Sequence, residues 1–331
     1  MEALQLIRDL TALHGPSGNE GEVAKAIAKL AKPYADQITT DTLGNLIVHK
    51  KGKGPKVLFA AHMDTLGVVV THIEKEGCLR FGKLGGMRAS DILYTPVQFQ
   101  NGVRGAIGAD DKADKKALKI DDLFIDIGAA DREEAAKLVQ VGDTAVYATA
   151  AAPAGKHRVV SPYLDNRVSC AVLLLALERL GKSDNDLYFA FTVQEEVGCR
   201  GGKTAVYGVD PEYGVAVDVT GSFDLPRDSH GGSSVLGGGA AIKVMDDSVI
   251  CQPEMVEKLA ALAKKGKIRH QMDVLTTGGT DAGPMHQSRS GVLTGGISVP
   301  CRYIHTPTEL ADLDDVEACV QLVTAFAQAK L

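Results

Sequence analysis

Short apolar runs that each break off at a histidine or an acid constrain this chain more than any other feature. Val57, Leu58, Phe59, Ala60 and Ala61 run into His62 and Asp64, Leu187 to Val193 runs into Glu195 and Glu196, and Val215, Ala216 and Val217 lead into Asp218. A short apolar run bounded by Gly, Pro or charge reads as a strand buried on both faces, the pattern of a mostly parallel sheet. Ligands of such sheets occupy the crevice beyond the carboxyl ends of the strands. With Asp165 and His305 added, N and O donors gather on one edge, a set suited to a pair of divalent cations such as zinc, cobalt or manganese.

The texture along the chain changes twice. Leu4, Ile7, Leu10 and Leu13 recur at helical spacing, and Ser17 with Glu20 has the form of a capping box before a second helix that stops near Pro33. Short strands at Ile38–Asp41 and Leu46–His49 precede the His62 strand. From residue 66 to 159 the segments are short, β-branched and punctuated by glycine, with strands expected at Val68–Ile73, Cys78–Phe81, Pro96–Phe99, Leu123–Ile127 and Thr144–Tyr147. The charged stretch 110–122 reads as a mobile, solvated loop. Beyond 160, strands and helices alternate, with helices at Asn166–Leu180, Pro253–Lys265 and from Asp314. The reading is an α/β fold: a mixed-sheet domain with helices on both faces, made of residues 1–65 plus 160–331 and interrupted by a small β-rich domain at 66–159.

Charge narrows the partners. Thirty-six basic against 42 acidic side chains give a net charge of −6 without a basic stripe, which argues against nucleic acid. No apolar run approaches a membrane span and no signal layout opens the chain, so a soluble, cytoplasmic protein is expected. Six cysteines without a C-x-x-C pair read as reduced; Cys199 and Cys301 stand near candidate ligands but read first as small buried hydrophobes.

Each candidate has a bland reading when taken alone. His62 reads as a satisfied core histidine, but Asp64 two residues on shares its face of an extended chain and can hydrogen-bond the far imidazole nitrogen. Asp165, before an apolar helix, reads as an N-cap or as a carboxylate bridging two cations. Glu195 and Glu196 point opposite ways on an extended chain, so one is free to bind a cation while the other faces water as a general base. Asp218 is a strand end, and His305, followed by Pro307, lies outside a helix. Two histidines and three carboxylates shared across two cations leave positions open for water.

In order along the chain, Ala61-His62-Met63-Asp64-Thr65, Leu164-Asp165-Asn166-Arg167, Gln194-Glu195-Glu196-Val197-Gly198, Val217-Asp218-Val219-Thr220, Gly278-Gly279-Thr280-Asp281-Ala282-Gly283 and Arg302-Tyr303-Ile304-His305 resemble the tetrahedral aminopeptidases, a group that includes glutamyl aminopeptidases and proteins once labelled cellulase M. The resemblance implies a phosphorylase/hydrolase-like catalytic domain. It implies one divalent metal held by His62 and Asp218, a second held by Glu196 and His305, Asp165 bridging both, Glu195 as general base and Asp64 assisting. It also implies a cis Asp165–Asn166 peptide, peptide substrates with a free N-terminus, and a homo-dodecamer built from dimers through the 66–159 domain. Thr280 and Asp281 match the family and read equally as caps of the helix that follows. The rival readings are a related metallo-deacylase or carboxypeptidase, a non-catalytic scaffold whose metals only hold a subunit shape, and a glycoside hydrolase. For the last, adjacent Glu195 and Glu196 point apart and no Trp is present to stack a sugar.

Overall fold

The computed structural model describes residues 1–226 and 231–331. The three apolar runs become neighbouring parallel strands, Asp186–Thr192, Lys56–His62 and Tyr213–Gly221, and Leu293–Arg302 continues the parallel set. Antiparallel strands finish both edges, giving the order Gln37–Thr40, Leu46–Lys50, Asp186–Thr192, Lys56–His62, Tyr213–Gly221, Leu293–Arg302, Glu309–Asp312, Arg158–Ser161, Ala152–Ala154. Ala240–Met245 branches off through Ile297 and Ser298 and carries His270–Val274 beside it. The sheet is therefore mixed, with its parallel strands at the centre.

Alternation along the His62 strand explains why the run is apolar throughout. Val57, Phe59 and Ala61 face a large core shared with the helices Leu164–Arg179 and Leu313–Ala327, while Leu58 and Ala60 face a smaller one with Ala205, Val206 and Met285 from the helices Arg200–Val209 and Ala282–His286. Both faces are covered, so no position tolerates a polar side chain until the strand ends. The helix Leu164–Arg179 is buried from Leu164 through Leu177, which accounts for its lack of a polar stripe.

Residues between the two halves of the sheet close into a separate barrel of Gly67–Ile73, Leu79–Leu84, Leu123–Asp126, Arg104–Ala109, Pro96–Phe99 and Thr144–Tyr147. Val68, Val70, Phe81, Val97, Ile107 and Ile125 fill its interior. The 110–122 stretch is tethered at its start, where Arg80 grips Asp110 with two nitrogens (3.0 and 2.9 Å), and ends in a 3-10 turn at Ile120–Asp122. The helix Arg132–Leu138, capped by Asp131 Oδ1 on the Glu134 amide (2.9 Å), is an element the β-rich reading omitted.

The opening helices form at Ala3–Thr11 and Gly21–Ala31, but the expected capping box does not. Ser17 donates its hydroxyl to Asp64 Oδ2 (2.6 Å), and Glu20 Oε1 accepts from the amides of Gly18 (2.7 Å) and Gln194 (3.1 Å). A buried acid and the strand end beside it compete for these side chains more strongly than a local helix start.

Arg167, with no exposure at all, ties the opening helices to the sheet. Its guanidinium donates to the carbonyls of Leu10 (2.6 Å) and Gly15 (3.2 Å). Hydrogen bonds to a charged donor contribute ~1.5–3 kcal/mol each, and the abandoned carbonyls stay buried. Arg167→Met is expected to lower unfolding free energy by about 3 kcal/mol or more, read as a shift of the urea midpoint; an unmoved midpoint would show that water replaces the guanidinium.

Candidate metal centre

The ends of the parallel strands bring the predicted residues together. His62 is the last residue of its strand, level with Thr192, and the chain after Thr192 turns to present Glu195 and Glu196. That turn needs left-handed backbone at Gln194 (φ 53°), Gly198 (φ 118°) and Cys199 (φ 51°), conformations that concentrate at functional sites. Asp218 comes from the neighbouring strand, Asp165 from the start of the buried helix just before a cis Asp165–Asn166 bond, and His305 (φ 68°) from the loop after Leu293–Arg302.

Asp165 stands between the two imidazoles. Its Oδ1 lies 3.0 Å from His62 Nε2 and its Oδ2 lies 3.3 Å from His305 Nε2. Asp218 Oδ1 is 3.7 Å from His62 Nε2, and Glu196 Oε2 is 3.2 Å from His305 Nε2. Two trios result, His62 with Asp165 and Asp218, and Asp165 with Glu196 and His305; in each the donor atoms lie within 4.8 Å of one another and could hold a metal ion. Glu195 belongs to neither trio, and its Oε2 sits 3.8 Å from His62 Nε2.

Both imidazoles are oriented from behind. His305 Nδ1 donates to the Gly86 carbonyl (2.8 Å), a contact from the segment that forms the barrel. Gly85, at φ 93°, has a backbone conformation that favours glycine and a Cβ there would meet Leu66 at 2.3 Å, while a Cβ on Gly86 would press the His305 ring at 3.1 Å. His62 Nδ1 donates to the Asp64 backbone carbonyl (3.2 Å), with the Asp64 carboxylate slightly farther at 3.4 Å. The expected bond from imidazole to the Asp64 side chain is thus supplied mainly by its backbone. The fully buried carboxylate instead accepts from the amides of Glu195 (2.9 Å) and Glu196 (3.2 Å) and fixes the turn that carries them.

Electrostatics set this cluster apart from an ordinary core. Burial alone would depress His62, but Glu195, Asp165 and Asp218 raise it well above its usual range; burial would also depress His305, yet Asp165 and Glu196 push it up to about 12. Burial and then neighbouring acids hold Glu195 and Asp218 well above the usual carboxylate range, while the two imidazoles overcome burial at Asp165 and pull it below. Acids outnumber imidazoles here, and Glu196 Oε1 is buried without a hydrogen-bond partner. A donor set with surplus negative charge and an orphaned carboxylate oxygen fits divalent cations.

Three features lie outside the sequence reading or correct it. Glu309, 2 % exposed, accepts from the amides of Asp165 (Oε2, 2.9 Å) and His305 (Oε1, 2.9 Å), clamping two chain segments far apart in sequence. Of the two candidate caps, Thr280 Oγ1 accepts from the Ala282 amide (3.2 Å), but the Asp281 side chain caps nothing and takes the Thr192 hydroxyl at 2.5 Å. Cys301 is buried as expected, while the half-exposed Cys199 directs its thiol at Glu195 Oε1 (3.2 Å). The cavity in front of the centre extends along Thr220, Lys243, Asp246, Leu275 and Gly278–Thr280.

Known proteins resemble the chain over nearly its whole length. A profile of the M42 glutamyl aminopeptidases matches residues 44–322. A putative aminopeptidase of Acetivibrio thermocellus is 46% identical over 97% of each chain. Among solved structures, the aminopeptidase APDkam598 of Desulfurococcus kamchatkensis superposes with a TM-score of 0.95 at 39% identity, covering 98% of this chain and 94% of that one. Pyrococcus horikoshii TET1 peptidase, which can assemble into a tetrahedron or a large octahedral shell, does so with a TM-score of 0.89 at 33% identity over 99% and 100%. With a family match across most of its length and whole-chain relatives on both measures, the chain belongs to the M42 glutamyl aminopeptidase family and is a peptidase.

Proposed function

We propose that the protein is a dinuclear, metal-dependent aminopeptidase that removes the first residue of peptides with a free amino terminus. The observation that carries this reading is the division of Asp165, one oxygen toward each imidazole, between two trios able to hold an ion. His62 and Asp218 would hold one ion, Glu196 and His305 the other, and Asp165 would bridge them. When bound, the pair supplies Lewis acidity, polarising the scissile carbonyl and acidifying a water. Zinc, cobalt and manganese all suit imidazole and carboxylate donors.

Glu195 performs the proton chemistry. Its carboxylate, 11% exposed and outside both trios, takes the proton of the attacking water and returns it to the departing amine. Asp64 keeps Glu195 in place through its backbone amide, and the cavity beside Leu275 and Gly278–Thr280 receives the side chain of the first residue. A free amino group suits a site whose acids outnumber its imidazoles. We also assign the barrel within residues 66–159 as the dimerisation domain of a dodecamer built from dimers, supported by whole-chain similarity to TET1; Ala152–Ala154 and the start of Arg158–Ser161, which the sequence reading placed with it, pair into the large sheet instead. Among the described residues no helix is long and apolar enough to cross a membrane.

Three measurements test this reading. Chelation is expected to abolish hydrolysis of free-amine aminoacyl chromogenic substrates, and zinc, cobalt or manganese to restore it, while N-acetylated substrates stay intact throughout; cleavage of the blocked substrates would point to a deacylase or carboxypeptidase. Glu195→Gln is expected to keep both ions by metal analysis and lose about 10² to 10⁴ in kcat; normal turnover with both ions bound would remove Glu195 from the role. Glu309→Gln, which turns an amide NH2 toward one of the two backbone donors, is expected to weaken cation binding by roughly 10- to 100-fold in competition with a chelating dye. Unchanged affinity would mean that Asp165 and His305 are held by other contacts.

A further inference from the structure

Cys199 has no part in the chemistry above, yet its sulfur lies against the residue that carries the proton. The thiol meets Glu195 Oε1 at 3.2 Å, on the side opposite the oxygen that faces His62. Asp281 completes the arrangement, because one donor atom from each of Glu195, Cys199 and Asp281 lies within 4.8 Å of the other two. Asp281 is 2 % exposed and spends Oδ2 on the Thr192 hydroxyl, while its Oδ1 has no hydrogen-bond partner. His62, the imidazole nearest Glu195, is already engaged by Asp165 at 3.0 Å. Two carboxylates and a thiol thus share one flank of the cleft, with one buried carboxylate oxygen left without a partner.

We propose that Glu195, Cys199 and Asp281 form a third cation site, specific for thiophilic ions such as zinc or cadmium, whose occupation ties up Glu195 and inhibits hydrolysis. The inhibition rests on the assignment of Glu195 above; the binding does not. A tetrahedral zinc with Zn–S of ~2.3 Å and Zn–O of ~2.0–2.2 Å spaces its ligands about 3.4–3.6 Å apart, close to the separation of Sγ and Oε1. Binding forms a metal–sulfur bond and releases the thiol proton to solvent, with no redox change. Burial, then Glu195 and Asp281, hold the Cys199 thiol well above its usual range, so the sulfur stays protonated until a cation displaces the proton. A sulfur donor discriminates against manganese and magnesium, so the inhibition depends on the softness of the ion. The enzyme would then run on two ions and be throttled by an excess of a thiophilic one.

The test uses the full chain loaded with two equivalents of zinc and titrated with cadmium, following the ultraviolet cadmium–thiolate absorption, bound metal and the hydrolysis rate. The expected result is a third equivalent, appearance of the thiolate band, and a rate loss of at least about 10²-fold, the contribution of a positioned proton carrier. Cys199→Ala and Cys199→Ser, each compared with its own two-zinc rate, are expected to lose both the band and the inhibition, whereas Cys78→Ala keeps both. Excess manganese is expected to leave the rate unchanged. Absence of the band in the unaltered protein, or its persistence with equal inhibition in Cys199→Ala, overturns the proposal. A band that appears as expected in a two-zinc protein unable to cleave any free-amine peptide supports the third site while refuting the peptidase assignment.

Discussion

Negative charge gathered on largely buried side chains at one edge of the sheet is the constraint around which this molecule is organised. Asp64, Asp165, Asp218 and Asp281 are all buried, and so is the Glu309 that braces two of the chain segments meeting there. An ionised carboxylate in such surroundings is costly unless it is paired and hydrogen-bonded. Part of the demand is met locally by backbone amides on Asp64, Asp218 and Glu309. The remainder falls on two imidazoles that are fewer than the acids around them. The sheet, with apolar cover on both faces, exists to hold that cleft at one edge and to keep water from relaxing it.

The sheet was legible in the sequence because its central strands are buried on both sides. Burial on one side would have left an alternating pattern, whereas here Val57 to Ala61 and Val215 to Val217 are apolar without interruption; His62 ends its strand, while Asp218 lies inside Tyr213–Gly221, three residues short of the strand end the sequence suggested. The six-stranded barrel was legible as texture but not in detail: Arg104–Ala109 has four small residues and little β-branching, and it is a strand only because its neighbours pair with it. The Asp131-x-x-Glu134 pattern did announce the helix at 132–138, but its signal was lost among the surrounding short strands.

For the cleft, the gathering of His62, Asp165, Glu195, Glu196, Asp218 and His305 followed from their places at strand and loop ends, and their roles followed only from resemblance. What the sequence could not reveal were contacts that join distant segments. Glu309 reads as a surface acid after Thr306-Pro307-Thr308, and nothing local says that both its oxygens turn inward. Ser17 and Glu20 satisfied a local capping rule and were claimed instead by Asp64 and by Gln194, because buried partners outcompete a helix start in water. The Gly85-Gly86 pair was the one available hint of close backbone approach.

That glycine pair ties the barrel to the chemistry. The Gly86 carbonyl receives the Nδ1 proton of His305, so the aim of one imidazole depends on where the neighbouring β-rich body rests. Linkage is reciprocal: a partner whose binding shifts the barrel would change the affinity of His305 for a cation, and that cation would change the partner's affinity by the same factor. A single peptide oxygen is thus the place where events on the β-rich body would be felt at the imidazole.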